Sequence, residues 1–190
     1  MPELLKVEKG YTDHEFMEFT ESDLHTKYEL INGRIYALSA PVTRHGRLNK
    51  YIANKFESYF IGKKCEVFSH QTSVHLDRDA SSNINVYIPD LFVICDKSKI
   101  KKKGVYGAPD LVVEIISPSN ARDDYILKQR NYAKYGVREY WIIDTDVISL
   151  YILNEKCNYE IYNYDYEQVE SKIFPGLAVD FSEFEDEYAE

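Results

Sequence analysis

The chain has 190 residues, the length of one domain and enough to bury a core. It is 44% hydrophobic and 29% charged with a formal net charge of −9, so it is globular in composition and is not a protein that holds nucleic acid by bulk attraction alone. No apolar run approaches a membrane span, and residues 1–10 lack the apolar stretch of a secretory signal, so a cytoplasmic protein with no membrane partner is expected.

Residues 12–24 read as a short helix with acidic faces. The 27–38 segment alternates around Asn32-Gly33, a hairpin signal because both positions tolerate φ > 0. Over 42–60, Leu48, Ile52, Phe56, Tyr59 and Phe60 fall on one helical face, and Gly62 ends the helix. Residues 65–76 and 85–95 read as the strands of a long hairpin around a turn-rich 77–83. The 97–108 segment reads as a lysine- and glycine-containing loop. The apolar run 110–116, which encloses Glu114, reads as a central buried strand. Ser117 to Asn120 closes that strand and opens a helix from Asp123 to Tyr135, stopped by Gly136. Strands over 139–144, 147–153, 159–164 and 169–173 complete the order. The fold class is therefore α/β, a central mixed sheet flanked by helices with a strand-rich C-terminal part.

The three cysteines, Cys65, Cys95 and Cys157, are scattered and odd in number. Their spacing predicts neither a metal cluster nor a disulfide framework, and a reducing compartment is the default. The basic stretches Lys63-Lys64, 97–103 and 128–138 each read as solvated surface when taken singly.

Chemistry concentrates at two carboxylates. Asp90 follows Pro89 within an apolar strand, and Glu114 lies within the central one. A carboxylate in a core strand costs several kcal/mol unless it is paired, protonated or bound to metal. A shared Mg²⁺, which takes oxygen ligands and keeps waters, is the economical partner. On the following helix Asp124, Lys128 and Tyr132 recur every four residues along one face, which would return Lys128 toward the carboxylates. Lys128 would then neutralise a phosphate or orient the attacking water. The plainer readings are a bend cap for Asp90, a structural ion pair for Glu114 and Lys128, and a surface pair for Asp124 and Lys128. His45, between Arg44 and Arg47, is a candidate for phosphate or water contact, or a local hydrogen-bond partner. Glu29 in the first hairpin is a further candidate acid, or a cross-strand partner of Arg34 or Lys27. Gln71 stands mid-strand with no assigned role.

Four stretches carry a family resemblance: residues 28–35 (Tyr28-Glu29 to Arg34-Ile35), Pro89-Asp90-Leu91, residues 108–119 around Val113-Glu114-Ile115, and residues 134–144 from Lys134-Tyr135 to Ile143-Asp144. The chain resembles, from Tyr28 to Ile173, a large bacterial restriction-endonuclease-like family of the PD-(D/E)XK nuclease superfamily. The resemblance implies residues 27–175 as the nuclease domain, 1–26 as an N-terminal helical extension and 176–190 as an acidic tail. It implies a DNA endonuclease with Mg²⁺ (Mn²⁺ as substitute) held by Asp90, Glu114 and the main-chain carbonyl of Ile115. The signature lysine is expected two residues after Glu114, where this chain has Ile116, so Lys128 is expected to take its place. Asp124, Tyr132, His45 and Glu29 would support it. Two alternatives remain: a catalytically inactive nucleic-acid-binding protein, or a protein-interaction module. Residues 147–173 are in addition a candidate homodimer surface.

Overall fold

The computed structural model describes residues 10–40, 42–69, 71–77, 84–116, 122–144, 148–155, 158–165 and 167–184, with the side chains of 122–125 outside that set. Residues 78–83 of the expected 77–83 turn, the expected 117–120 link, Cys157 and the tail beyond 184 lie outside the described residues.

The first helix, α1 (Asp13–Ser22), is fixed at its start by a capping box. The Thr12 side chain accepts from the Glu15 N–H while the Glu15 carboxylate takes the Thr12 N–H. The next two strands, β1 (Tyr28–Ile31) and β2 (Arg34–Ala37), form the expected hairpin. Asn32 and Gly33 both have positive φ, 50° and 76°, as a tight two-residue turn requires. The amphipathic helix α2 (Thr43–Phe60) follows as expected.

The long hairpin forms, but it is shared between two sheets. Its outer part is β4 (Val74–His75) against β5 (Val86–Tyr87). Its base is β3 (Glu66–Ser69) against β6 (Leu91–Ile94). Pro89 lies in the break, where its missing N–H cannot serve a ladder. The expected 97–108 loop contains a small hairpin, β7 (Ile100–Lys101) and β8 (Gly104–Tyr106). Then come β9 (Leu111–Ile115), α3 (Arg122–Tyr135) and β10 (Glu139–Ile143). The chain closes with β11 (Ile148–Leu153), β12 (Tyr159–Tyr164), β13 (Gln168–Glu170) and β14 (Ala178–Asp180).

A first sheet runs β2-β1-β5-β4-β8-β7, a second β12-β11-β10-β9-β6-β3, and β13 and β14 pair antiparallel as a separate two-stranded sheet. Within the second, β9 and β10 are parallel, as the intervening α3 crossover requires, and β10–β11 is an antiparallel hairpin. Alternation along β9 sets the layers. Leu111, Val113 and Ile115 pack with Leu48, Ile52 and Phe56 of α2. Val112 faces the other way, toward Tyr132 of α3 and toward Ile31, Val74 and Val105 of the first sheet. On the far side of that sheet, Phe16 of α1 packs against Leu30, Ile35 and Val86. Among the described residues no helix is long and apolar enough to cross a membrane.

Cys65 and Cys95 form a disulfide, which corrects the expectation of unpaired thiols. Glu66 faces Ile94 across the β3–β6 ladder, so one step outward sets Cys65 beside Cys95. Strand register brings them together, and spacing in the chain does not reveal it.

The expected 169–173 strand ends at Glu170 because the chain then wraps a carboxylate. Glu139 is fully buried and accepts from the Trp141 indole at 2.6 Å, the Ser171 hydroxyl at 3.0 Å, and the main-chain N–H groups of Lys172 and Ile173 at 3.0 and 2.9 Å. Glu139→Ala would leave these donors buried and unsatisfied. We expect a loss of about 3–5 kcal/mol in denaturant unfolding. A loss below about 1 kcal/mol would show that the C-terminal segment is held elsewhere.

Candidate active site

Asp90 does not lie inside a strand as expected. It sits at the bend between β5 and β6, where the chain leaves one sheet for the other. The bend frees its carboxylate from strand alternation, and three contacts then fix it. Asp90 Oδ2 accepts the Ile115 N–H at 2.8 Å, and Oδ1 lies 2.8 Å from His45 Nε2. Its main-chain carbonyl accepts from the Asn49 amide at 2.9 Å. His45 and Asn49 are one helical turn apart at the start of α2, so a single helix face holds Asp90 twice.

Glu114 lies on the face of β9 directed at α3 and the first sheet, and is 5% exposed. Its Oε1 accepts from Lys128 Nζ and from the Tyr132 hydroxyl, each at 3.0 Å. The four-residue spacing of Lys128 and Tyr132 on α3 brings both to that oxygen. Lys128 Nζ also donates to Glu29 Oε1 at 3.1 Å, and Glu29 Oε1 accepts the Ile88 N–H at 3.0 Å. Lys128 thus bridges a carboxylate from each sheet. Within the basic 128–138 stretch Lys128 is buried, which corrects the solvated-surface reading at that residue, while Arg130, Lys134 and Arg138 are exposed as expected.

Burial opposes ionisation of Glu114, and Lys128 favours it, while the charges of Asp90 and Glu29 oppose it further. Burial and repulsion win, and the carboxyl is pushed up to about 7. Burial also opposes the charge on Lys128, but Glu114 and Glu29 outweigh it and hold the ammonium well above its ordinary range. For His45, burial is outweighed by Asp90 and Glu114, and its pKa is raised. His45 Nδ1 is buried and has no hydrogen-bond partner among the described residues.

The structure therefore gathers Glu29, His45, Asp90, Glu114, Lys128 and Tyr132 around the C-terminal end of β9. Lys27 and Arg34, the sequence's alternative partners for Glu29, are replaced in that role by Lys128. Asp124 lies on α3, and its side chain is outside the described residues. The sequence reading missed Asn49, whose signal was a polar residue beside Leu48 on an apolar helix face. It also missed Asn131, whose buried amide donates to Asn85 Oδ1 at 2.9 Å and to the Tyr87 hydroxyl at 2.7 Å. The Tyr87 ring lies 5.6 Å from Lys128 Nζ and helps hold the cation.

Because Glu114 is raised from 4.5 to about 7 in the folded chain, its contribution to stability is fully present below pH 4.5 and is lost as pH rises through 7. In metal-free buffer, unfolding free energy should fall across that window more steeply in the wild type than in Glu114→Gln. Equal slopes would contradict the raised carboxyl.

The chain matches the model of the Uma2 family, described as "Putative restriction endonuclease", over residues 13–182. It is 28% identical over 153 residues to "Uncharacterized protein slr1290" of Synechocystis sp. (strain ATCC 27184 / PCC 6803 / Kazusa), covering 79% of this chain and 78% of that protein. It superposes with a TM-score of 0.71 on the crystal structure of "a putative nuclease belonging to DUF820" from Anabaena variabilis ATCC 29413, at 18% identity over 90% of this chain and 96% of that one. That likeness shows a shared restriction-endonuclease-like fold. With the family model spanning β1, the bend that carries Asp90 and the strand that carries Glu114, the chain belongs to the Uma2 family.

Proposed function

We propose that this chain is a Mg²⁺-dependent endonuclease that hydrolyses phosphodiester bonds in DNA, with Asp90, Glu114 and Lys128 as its catalytic residues. One observation carries the reading. The Ile115 N–H bond to Asp90 draws a carboxylate from the sheet break onto the strand end that already bears Glu114 and its buried lysine.

The donor set fits a hard divalent cation. Asp90, Glu114 and Glu29 crowd one site, and Asp90 and Glu29 both act against ionisation of Glu114, an excess of negative charge that a dication would relieve. Among the described residues no group of three or more His, Cys, Asp or Glu side chains could hold a metal ion. Two side chains, the Ile115 carbonyl and water would complete the shell, which suits an ion that keeps several waters. When bound, Mg²⁺ would lower the pKa of a water and stabilise charge on the phosphate.

The protein's own groups do the rest. Lys128, kept protonated by Glu29 and Glu114, supplies a fixed positive charge for the reacting phosphate and replaces the lysine that Ile116 lacks. Tyr132 fixes the rotation of Glu114, and the Ile88 N–H fixes Glu29 behind Lys128. His45 orients Asp90 through Nε2.

The test is Mg²⁺ and Mn²⁺ binding by calorimetry with cleavage of single- and double-stranded DNA. Asp90→Ala and Glu114→Ala should lose metal binding, and cleavage should drop by about 100-fold or more. Lys128→Met should keep metal binding and lose cleavage by about 100-fold. Binding and cleavage intact in either carboxylate variant would overturn the assignment. A non-catalytic DNA-binding role is the second reading, favoured by Glu114 Oε1 already taking two donors. It expects DNA binding with no metal-dependent cleavage.

A further inference from the structure

A second chain of reactive side chains lies on the other side of the first sheet. Tyr28, on the opposite face of β1 from Glu29, lines a cavity of about 610 Å³ between α1 and the β7–β8 hairpin. Ser73, just before β4, and His75 within it lie on the same strand face and line the same cavity. Ser73 Oγ is 3.1 Å from His75 Nε2, and His75 Nδ1 is 2.6 Å from Asp13 Oδ1. The His75 side chain is 3% exposed, and its ring is stacked on Tyr106 at 4.3 Å between centroids.

A clasp between α1 and the sheet needs only Asp13 and one imidazole nitrogen. It does not account for a hydroxyl set on the second nitrogen at a cavity wall. Asp13 fixes the tautomer, with Nδ1–H donated to the carboxylate and Nε2 left as acceptor for the serine proton. The Ser73 hydroxyl has a second acceptor in the Lys103 carbonyl at 3.2 Å. A Cβ at Gly104 would lie 2.5 Å from Ser73 Oγ, so glycine there leaves the hydroxyl room. Lys101, Lys102 and Lys103 line the cavity together with Glu21 and Asp23, and Lys103 is ion-paired to Glu21 at 2.9 Å.

We propose that Ser73, His75 and Asp13 form a nucleophile–base–acid chain that hydrolyses carboxylic esters, an activity separate from the phosphodiester site. Ser73 Oγ attacks the ester carbonyl carbon and gives its proton to His75 Nε2. The tetrahedral adduct collapses, the C–O bond to the leaving alcohol breaks, and that alcohol takes the proton from His75. Water, deprotonated by His75, then attacks the acyl-serine; its collapse releases the acid and returns the proton to Ser73.

The test treats the full chain with an alkyl fluorophosphonate probe and with p-nitrophenyl acetate, and locates the label by peptide mass spectrometry. Label at Ser73 and hydrolysis that falls about 100-fold or more in Ser73→Ala and His75→Gln are expected. Ser73→Cys, read by iodoacetamide alkylation, guards against loss of fold. Its thiol should react at least tenfold faster than the same thiol in the His75→Gln background. Folded wild type that takes no label and hydrolyses no faster than Ser73→Ala overturns the proposal, as does a Ser73→Cys variant whose alkylation rate is indifferent to His75.

Discussion

A buried ammonium held between two carboxylates is the interaction on which this architecture turns. Lys128 Nζ reaches Glu29 on β1 and Glu114 on β9, strands of different sheets, from a helix that covers the second. Either carboxylate alone in that interior would carry a penalty of several kcal/mol, and so would the lysine. Each is tolerated because the other two are present. The two sheets and α3 therefore meet at one electrostatic junction, and hydrophobic packing from Tyr132, Val112 and Ile31 closes around it.

That junction does not reach neutrality. Burial first, and then the charges of Asp90 and Glu29, raise the Glu114 carboxyl in spite of Lys128. Asp90 occupies its place because Pro89 interrupts the ladder and the Ile115 N–H, with His45, takes hold of the freed carboxylate. A fold selected for stability alone would replace such a cluster by apolar residues. Its retention at the end of a core strand is the physical argument for chemistry there. Glu139 makes a useful contrast: it is equally buried, but hydrogen-bond donors from its own chain surround it, and it serves to anchor the C-terminal segment.

Much of this was legible in the sequence where one local rule decided it. The 3.6-residue period of α2, the Asn32-Gly33 turn, the apolar run of β9 and the four-residue spacing of Lys128 and Tyr132 each specify local structure. The pairing of Glu114 with Lys128 followed from that spacing and from the cost of a core carboxylate. What was hidden depends on register and on contacts distant in the chain. The Cys65–Cys95 disulfide needs the β3–β6 alignment, and the division of the long hairpin needs two sheets to compete for its strands. The role of Glu29 needs β1 to sit beside α3, which no pattern in residues 28–31 encodes. Asn49 looked like a flaw in an apolar face until its contact with the Asp90 carbonyl supplied the reason.

The proposed site requires that Asp90 and Glu114 converge on one cation beside Lys128. The most direct measurement is an anomalous difference map from crystals soaked in Mn²⁺. The proposed site predicts an ion held by Asp90 and Glu114 with the Ile115 carbonyl. Full Mn²⁺ exposure with no peak there, or with Lys128 still bonded between Glu29 and Glu114 and the ion bound elsewhere, would contradict it.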